Sequence, residues 1–341
     1  MRGATGGPPK VEHPPRPNIS KSSMSEFDDC QRRWAYHYCW YDFDYFEFPD
    51  PLKRKCQFHS KLMGQEAFAG QVVHDVIDEL LRSRIEGRLE ISDPFDRAKE
   101  IAREYVQTSR DFIKAYQSGE KPPRMHRQPL YRIFFDLGWD GSAKAEFRKS
   151  VESALMHFLD SDLYASLQSE DPVYYEMPPQ GGAPWFLDRN VPVYANYDFA
   201  LRKPEQTTLF DWKTGKVNQW AERDVTDQLH TYAAYAMEKW RTPPEEIKLV
   251  AVWLSLGKDK THEIGVDMNR LEHLRQEWRE RHRLLSRRRE EAKGDVEKLF
   301  EIFPMTGIEK NRCRTCNYRF CEGYRTSTEG PGPEGEPSEK K

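Results

Sequence analysis

The pattern of apolar positions changes character along this chain. From Ser20 to Tyr45, Phe27, Trp34 and Tyr38 fall near helical spacing, and Ser22 or Ser23 offers an N-cap. A second helical pattern runs from about Glu66 to Glu86. Asp93 to Leu167 reads as several helices, interrupted by the polar, basic run Lys121 to Pro129. Strand signals, rich in aromatic and β-branched residues, then dominate from about Val173 to Lys213. A helix carrying Gln228 and Tyr232 follows. Lys248 to Leu256 is a further apolar strand, and Lys260 to Val266 is predicted to pair with it. Asn269 to Phe303 reads as a long charged helix or helix pair. Helices, strands, helix, strands and helix in that order predict an α/β fold, a mixed sheet flanked by helices. There is no internal repeat.

Composition narrows this picture. The chain has 341 residues, enough for one large domain with insertions or two ordinary ones. Its formal net charge of −3 excludes a polycation, so contacts to nucleic acid must come from local basic patches. Arg32-Arg33, Lys53 to Lys55, Lys121 to Arg127 and Arg279 to Arg289 are such patches. The last, interspersed with glutamates, reads as a solvated helix face, and Lys121 to Arg127 suits phosphate contacts better. Residues 1–18 are Gly/Pro-rich and residues 326–341 are poor in apolar side chains, so both read as disordered tails. No apolar run reaches membrane-spanning length and no signal-peptide core is present, which predicts a cytoplasmic protein. In a reducing compartment the cysteines are poor candidates for disulfides.

The candidate chemistry centres on two acids and a lysine. Asp198 lies in Val-Tyr-Ala-Asn-Tyr-Asp-Phe-Ala-Leu, and Asp211 opens Asp211-Trp212-Lys213 after a turn over Arg202 to Gln206. On adjacent strands these carboxylates can converge on one hard cation, Mg²⁺ or Mn²⁺. Strand alternation sends the Trp212 ring to the opposite face but leaves its carbonyl as a possible ligand, and returns Lys213 to the side of Asp211. An ammonium beside a metal is equipment for phosphodiester hydrolysis. His74, four residues after Gly70 on a helix, is a candidate third ligand. Gln228 and Tyr232, at i and i+4, can point together at a DNA strand or at the lysine. Cys313, Cys316 and Cys321 are spaced for metal or cluster ligation. They need a fourth ligand, for which Cys30, Cys39 and Cys56 are the candidates.

Taken in order, these motifs resemble the PD-(D/E)XK nuclease superfamily, in particular its RecB-like and AddB-like branch with an iron–sulfur cluster, as in CRISPR-associated RecB-like nucleases. The match runs from Ser20 to Cys321. Ser23, Phe27 and Cys30 align with the opening helix, Gly70 and His74 with the Gly-x-x-x-His helix, and Asp198 with the metal-binding aspartate. Asp211 and Lys213 align with the Asp-x-Lys motif, Gln228 and Tyr232 with the Gln-x-x-x-Tyr helix. Lys21 stands where the family's first serine falls, and Gln31 where proline is common. The resemblance implies a restriction-endonuclease-like core over residues 19–325, with a helical insertion at about 93–167 and a cysteine cluster at 313–321. It implies a Mg²⁺- or Mn²⁺-dependent deoxyribonuclease acting on single-stranded DNA or ends, in repair, recombination or defence. His74, Asp198, Asp211 and the Trp212 carbonyl would hold the metal, and Cys30, Cys313, Cys316 and Cys321 a structural [4Fe–4S] cluster. The alternative is a DNA-binding subunit with little cleavage of its own. The chain has no P-loop signature, so a helicase partner would be a separate chain.

Overall fold

Helices α1 (Lys21–Asp29) and α2 (Gln31–Tyr38) replace the single opening helix that the periodicity suggests. Cys30 between them is extended, at φ −159° and ψ 113°, and breaks the helix. The cap is Ser20, neither Ser22 nor Ser23. Ser20 is the extended residue, its carbonyl accepts from the Met24 amide at 3.0 Å, and its hydroxyl accepts from the Ser23 amide at 3.1 Å. Ser23 is instead buried one turn in, where its hydroxyl accepts from Trp34 Nε1 at 3.0 Å.

The computed structural model describes residues 17, 19–39, 51–85, 93–120, 127–169, 175–176, 183–215, 219–257, 260–293, 295–307 and 312–322. The expected C-terminal tail, nearly all of the N-terminal one and residues 121–126 lie outside the described residues. Further helices are α3 (Pro51–His59), α4 (Gln65–Ile85), α5 (Pro94–Gln117), α6 (Tyr131–Phe134), α7 (Gly141–Leu159) and α8 (Asp162–Ser169). They are followed by α9 (Gln219–Tyr235), α10 (Met268–Ala292) and α11 (Val296–Ile302). The last two are the expected helix pair. No helix among the described residues is long and apolar enough to cross a membrane.

The strands are β1 (Tyr175–Glu176), β2 (Ala183–Leu187), β3 (Val191–Ala195), β4 (Phe199–Lys203), β5 (Gln206–Lys213), β6 (Ile247–Trp253) and β7 (Thr261–Gly265). The main sheet runs β1-β4-β5-β6-β7, with β5 and β6 parallel and the other pairs antiparallel, so it is mixed as expected. β2 and β3 form a separate ribbon. Two details differ from the sequence pattern. The aromatic run around Asp198 is not one strand. β3 ends at Ala195, the chain turns through residues 196–198, and β4 begins in the other sheet. The β4–β5 turn is tighter than Arg202 to Gln206, because Lys203 already pairs with Gln206 and only Pro204 and Glu205 turn.

Alternation along β5 sorts two layers of helices. Phe210 and Trp212 face α4 and α7, packing with Val72, Val76 and Leu155. Leu209 faces α9 and α10, packing with Leu229, Ala233 and Leu274. Asp211, on that second side, is therefore carried into the interior by the register of its strand.

The two ends of the chain share a third core. Trp34 stacks on Phe303 at 5.6 Å, and Arg32, itself buried, donates to the carbonyls of Phe303 (2.7 Å) and Phe300 (2.6 Å). His59 at the end of α3 is 1% exposed and bonds through Nδ1 to the Asn317 carbonyl at 2.7 Å. Burial pushes its imidazole down to about 4, and the Asn317 bond opposes this only in part. The folded state thus holds His59 neutral while the unfolded chain protonates it near the ordinary value of 6.5. Stability is fully present above that value and is lost as pH falls toward about 4, by roughly 3 kcal/mol in all. Urea unfolding at intervals across that window checks this, and His59→Gln is expected to flatten the slope.

Candidate active site

The end of β5 extends past β4. Pairing with β4 stops at Phe199 opposite Phe210, whereas β6 continues alongside through Lys213 opposite Trp253. Residues 211–213 therefore have an open edge, and Asp198 fills it. The Asp198 amide donates to the Phe210 carbonyl at 3.0 Å, and its Oδ2 accepts from the Trp212 amide at 2.6 Å. N–H and C=O of one strand residue point to the same side, so the Trp212 carbonyl also faces this edge. Asp198 Oδ1 meets His74 Nδ1 of α4 at 3.0 Å. The Trp212 ring is buried on the opposite face, 5.5 Å from Phe158.

Asp211 is 2% exposed. The Tyr232 hydroxyl of α9 is shared between Asp211 Oδ1 at 2.8 Å and the Asn196 carbonyl at 2.6 Å. Asp211 Oδ2 is met by the Lys213 ammonium at 2.5 Å. Lys213 Nζ donates to Gln228 Oε1 at 2.8 Å, and Gln228 Nε2 donates to the Tyr232 hydroxyl. Gln228 thus meets the expected lysine, whereas Tyr232 meets the buried acid, which was not among the expected targets. Tyr232, 1% exposed, has no surface to offer a strand.

The electrostatics follow from this burial. Desolvation raises the Asp211 pKa, Lys213 offsets part of that rise, and the nearby Asp198 charge adds to it. Burial and then the Asp211 and Asp198 carboxylates hold Tyr232 as the neutral phenol, which keeps it a donor. Burial opposes a charge on His74, but the Asp198 carboxylate outweighs burial and raises its pKa. Two carboxylates, an imidazole and a strand carbonyl form an oxygen-rich donor set that suits Mg²⁺ or Mn²⁺. The buried Asp211 Oδ2 already faces one cation, the Lys213 ammonium. Among the described residues no group of three or more His, Cys, Asp or Glu side chains is placed to hold a metal ion.

The spacing of Gly70 and His74 has a packing cause. A Cβ at Gly70 would lie 2.5 Å from Thr214 Oγ1, on the residue after Lys213. Glycine lets α4 approach the end of β5 closely enough for His74 to reach Asp198. Gly70→Ala is expected to displace Thr214 and with it Lys213, lowering any Lys213-dependent cleavage by about 10- to 100-fold. Adding Thr214→Ala removes the clashing oxygen and should restore most of the rate. A double-mutant cycle on cleavage rates checks this. Sequence reasoning missed Thr214, the Asn196 carbonyl and Asp75. Asp75 accepts from Gln71 (3.0 Å), Tyr105 (3.0 Å) and Arg127 (2.7 Å), anchoring α4 one residue from His74. The only local signal was Gln71 and Asp75 at i and i+4; the other partners are distant in sequence.

Cys30, Cys313, Cys316 and Cys321 line one small cavity, together with Arg33, Tyr36, Met305 and Tyr318. Cys39 and Cys56 are fully buried nearby but do not line it. Burial pushes the Cys316 thiol up to about 12, and burial with the neighbouring Cys30 and Cys321 raises Cys313. Gly307 sits where a Cβ would be 2.9 Å from Cys30 Cβ, so glycine lets the C-terminal loop close on Cys30. None of the six cysteines forms a disulfide. The four thiols line this cavity without standing as a metal-holding group in the structure.

Most expected basic patches are engaged within the fold. Arg33 pairs with Glu26 at 2.9 Å, Lys53 is buried, and Arg54 donates to the Tyr116 carbonyl. Arg127 pairs with Asp75 and Glu104, so it is a helix anchor rather than a free phosphate contact. On α10, Arg279 pairs with Asp188 and Arg281 with Asp28, in keeping with a solvated face.

The family model of the PD-(D/E)XK nuclease superfamily matches residues 18–321. No curated protein matches the chain.

Proposed function

Because this chain belongs to the PD-(D/E)XK nuclease superfamily, we propose that it is a divalent-metal-dependent deoxyribonuclease of the RecB-like branch, acting on single-stranded DNA or DNA ends. The observation that carries this reading is the joined set of contacts at the end of β5. His74, Asp198 and the Trp212 amide are linked on one side, and Asp211, Tyr232, Lys213 and Gln228 on the other. His74, Asp198, Asp211 and the Trp212 carbonyl would hold Mg²⁺ or Mn²⁺. When bound, the ion polarises a phosphate and lowers the pKa of a water. Tyr232 fixes the rotamer of Asp211 through its hydroxyl. Gln228 holds the Lys213 ammonium on the Asp211 side of the site, where it can neutralise charge that develops on the phosphate. The preference for DNA rests on family membership rather than on any one side chain.

Cys30, Cys313, Cys316 and Cys321 would carry a [4Fe–4S] cluster as a brace between the two ends of a domain spanning about residues 19–325. The setting would be cytoplasmic repair, recombination or defence, with any helicase supplied by another chain. Anaerobically purified protein that is brown and contains iron and sulfide supports the cluster; a colourless zinc protein overturns it.

The test of activity is incubation of end-labelled single- and double-stranded DNA with anaerobically purified protein and Mn²⁺. Shortening of the labelled single strand is expected. Binding of DNA without cleavage in either metal would favour the binding-subunit reading instead. A metal must also displace the proton that Asp198 favours on His74. Mn²⁺ affinity, titrated calorimetrically, is therefore expected to weaken from about pH 8 to about pH 6. A flat profile would remove His74 from the ligand set.

A further inference from the structure

A cleft of about 570 Å³ lies between α5 and α7, away from the Asp211 site. Its walls are apolar: Phe95, Ala98, Val106, Trp139, Phe147 and Val151. Trp139 and Phe147 meet edge to face at 5.6 Å, and Phe147 stacks on Phe68 of α4 at 4.4 Å. Helix α4 thus lies between the cleft and the sheet, packing on Phe210 and Trp212 through its other residues. The rim is cationic. Arg103 and Arg110 on α5 and Lys144 and Arg148 on α7 line the cleft, and all four are exposed. None of these four has an ion-pair partner among the described residues, in contrast to Lys99, which pairs with Asp96 at 2.7 Å. Glu152 is the only acid lining the cleft.

We propose that this cleft docks an acidic amphipathic helix of a partner protein. Charge complementarity selects the occupant: four unpaired cations over an apolar floor fit apolar anchors flanked by carboxylates. A groove between two helices accepts a third in the helix-in-groove mode, and tryptophan and arginine are the residue types that dominate such interfaces. Nucleic acid fits less well. Gln107 is the only amide lining the cleft and it bonds Asp111 at 3.1 Å, so the apolar floor has little with which to hydrogen-bond a base edge.

The test uses the full chain and a fluorescent peptide of about 18 residues, with Leu and Phe at i, i+3, i+4 and i+7 and Glu elsewhere. A control peptide carries Lys in place of Glu. Arg103→Glu with Arg148→Glu reverses two exposed charges on opposite walls and touches neither the site at Asp211 nor the cysteines. The Glu peptide is expected to bind, with affinity falling at least about 10-fold in the double variant, and the Lys peptide is not. No binding of the Glu peptide, equal binding of both peptides, or unchanged affinity in the variant overturns the proposal. It is also overturned if the variant instead loses at least about 10-fold in affinity for an oligothymidylate, which would make the cleft part of a DNA track.

Discussion

Asp211→Asn is expected to abolish metal-dependent cleavage, with a rate loss of about 10³-fold or more, in a protein that stays folded. The asparagine keeps an oxygen for the Tyr232 hydroxyl and fills the same volume. What it removes is the buried charge. Desolvation raises the Asp211 pKa above its ordinary 3.8 despite Lys213 beside it, so the environment disfavours the carboxylate at neutral pH. The sign follows. A folded-state pKa above the unfolded one costs stability above pH 3.8, and the cost vanishes as pH falls through the unfolded value. Without metal, the variant should therefore melt no lower than the wild type. A divalent cation relieves the same cost, so Mn²⁺ should raise the melting temperature of the wild type and not of Asp211→Asn. Thermal melts with and without Mn²⁺ read this independently of cleavage. A variant that keeps the Mn²⁺ shift would remove Asp211 from the metal site.

Cys316→Ala is expected to cost the most stability. A cluster joining Cys30 to the C-terminal cysteines closes a loop of nearly the whole described chain. Loop-closure entropy puts the value of such a link on the order of 5 kcal/mol. At about 2 °C per kcal/mol for a domain this large, melting should fall by about 10 °C. The third core links this end of the molecule to α1 and α2 through Arg32, Trp34 and His59, so loosening it frees the frame around the site. Activity should fall with bound metal and sulfide, although no cysteine contacts Asp198, Asp211 or Lys213 in the structure. Cys39→Ala is the control, because Cys39 is also buried but does not line the four-thiol cavity. A Cys316→Ala protein as stable and active as the wild type would contradict the bracing role.

The helix and strand periods made much of this architecture legible. Alternation along β5 predicted that Trp212 turns away from Asp211 and Lys213, and the i, i+4 spacing predicted that Gln228 and Tyr232 lie on one helix face, where they bond each other. Two features were hidden by the very pattern that revealed the rest. The aromatic run from Val193 to Leu201 reads as one strand, although Asn196 and Asp198, turn-favouring residues, stand where the chain changes sheets. Likewise Cys30 interrupts a continuous helical period, and its extended backbone is stabilised by contacts from the far end of the chain, including the Gly307 loop. Asp75, Thr214 and Asn196 act through partners that only folding brings together, and no local spacing marks them. Charge count along the sequence does not show which basic side chains are paired. Arg32 and Arg127 are spent on carbonyls and carboxylates inside the fold.

Lys213 tests the central claim most directly, because it is less buried than Asp211 and its loss leaves both carboxylates and His74 in place. The measurement is the cleavage rate of end-labelled single-stranded DNA by Lys213→Ala beside the wild type, at saturating Mn²⁺. The wild type should cleave, and the variant should be slower by at least about 10²-fold while still binding Mn²⁺. Cleavage by Lys213→Ala at the wild-type rate would contradict the assignment of this site as the catalytic centre.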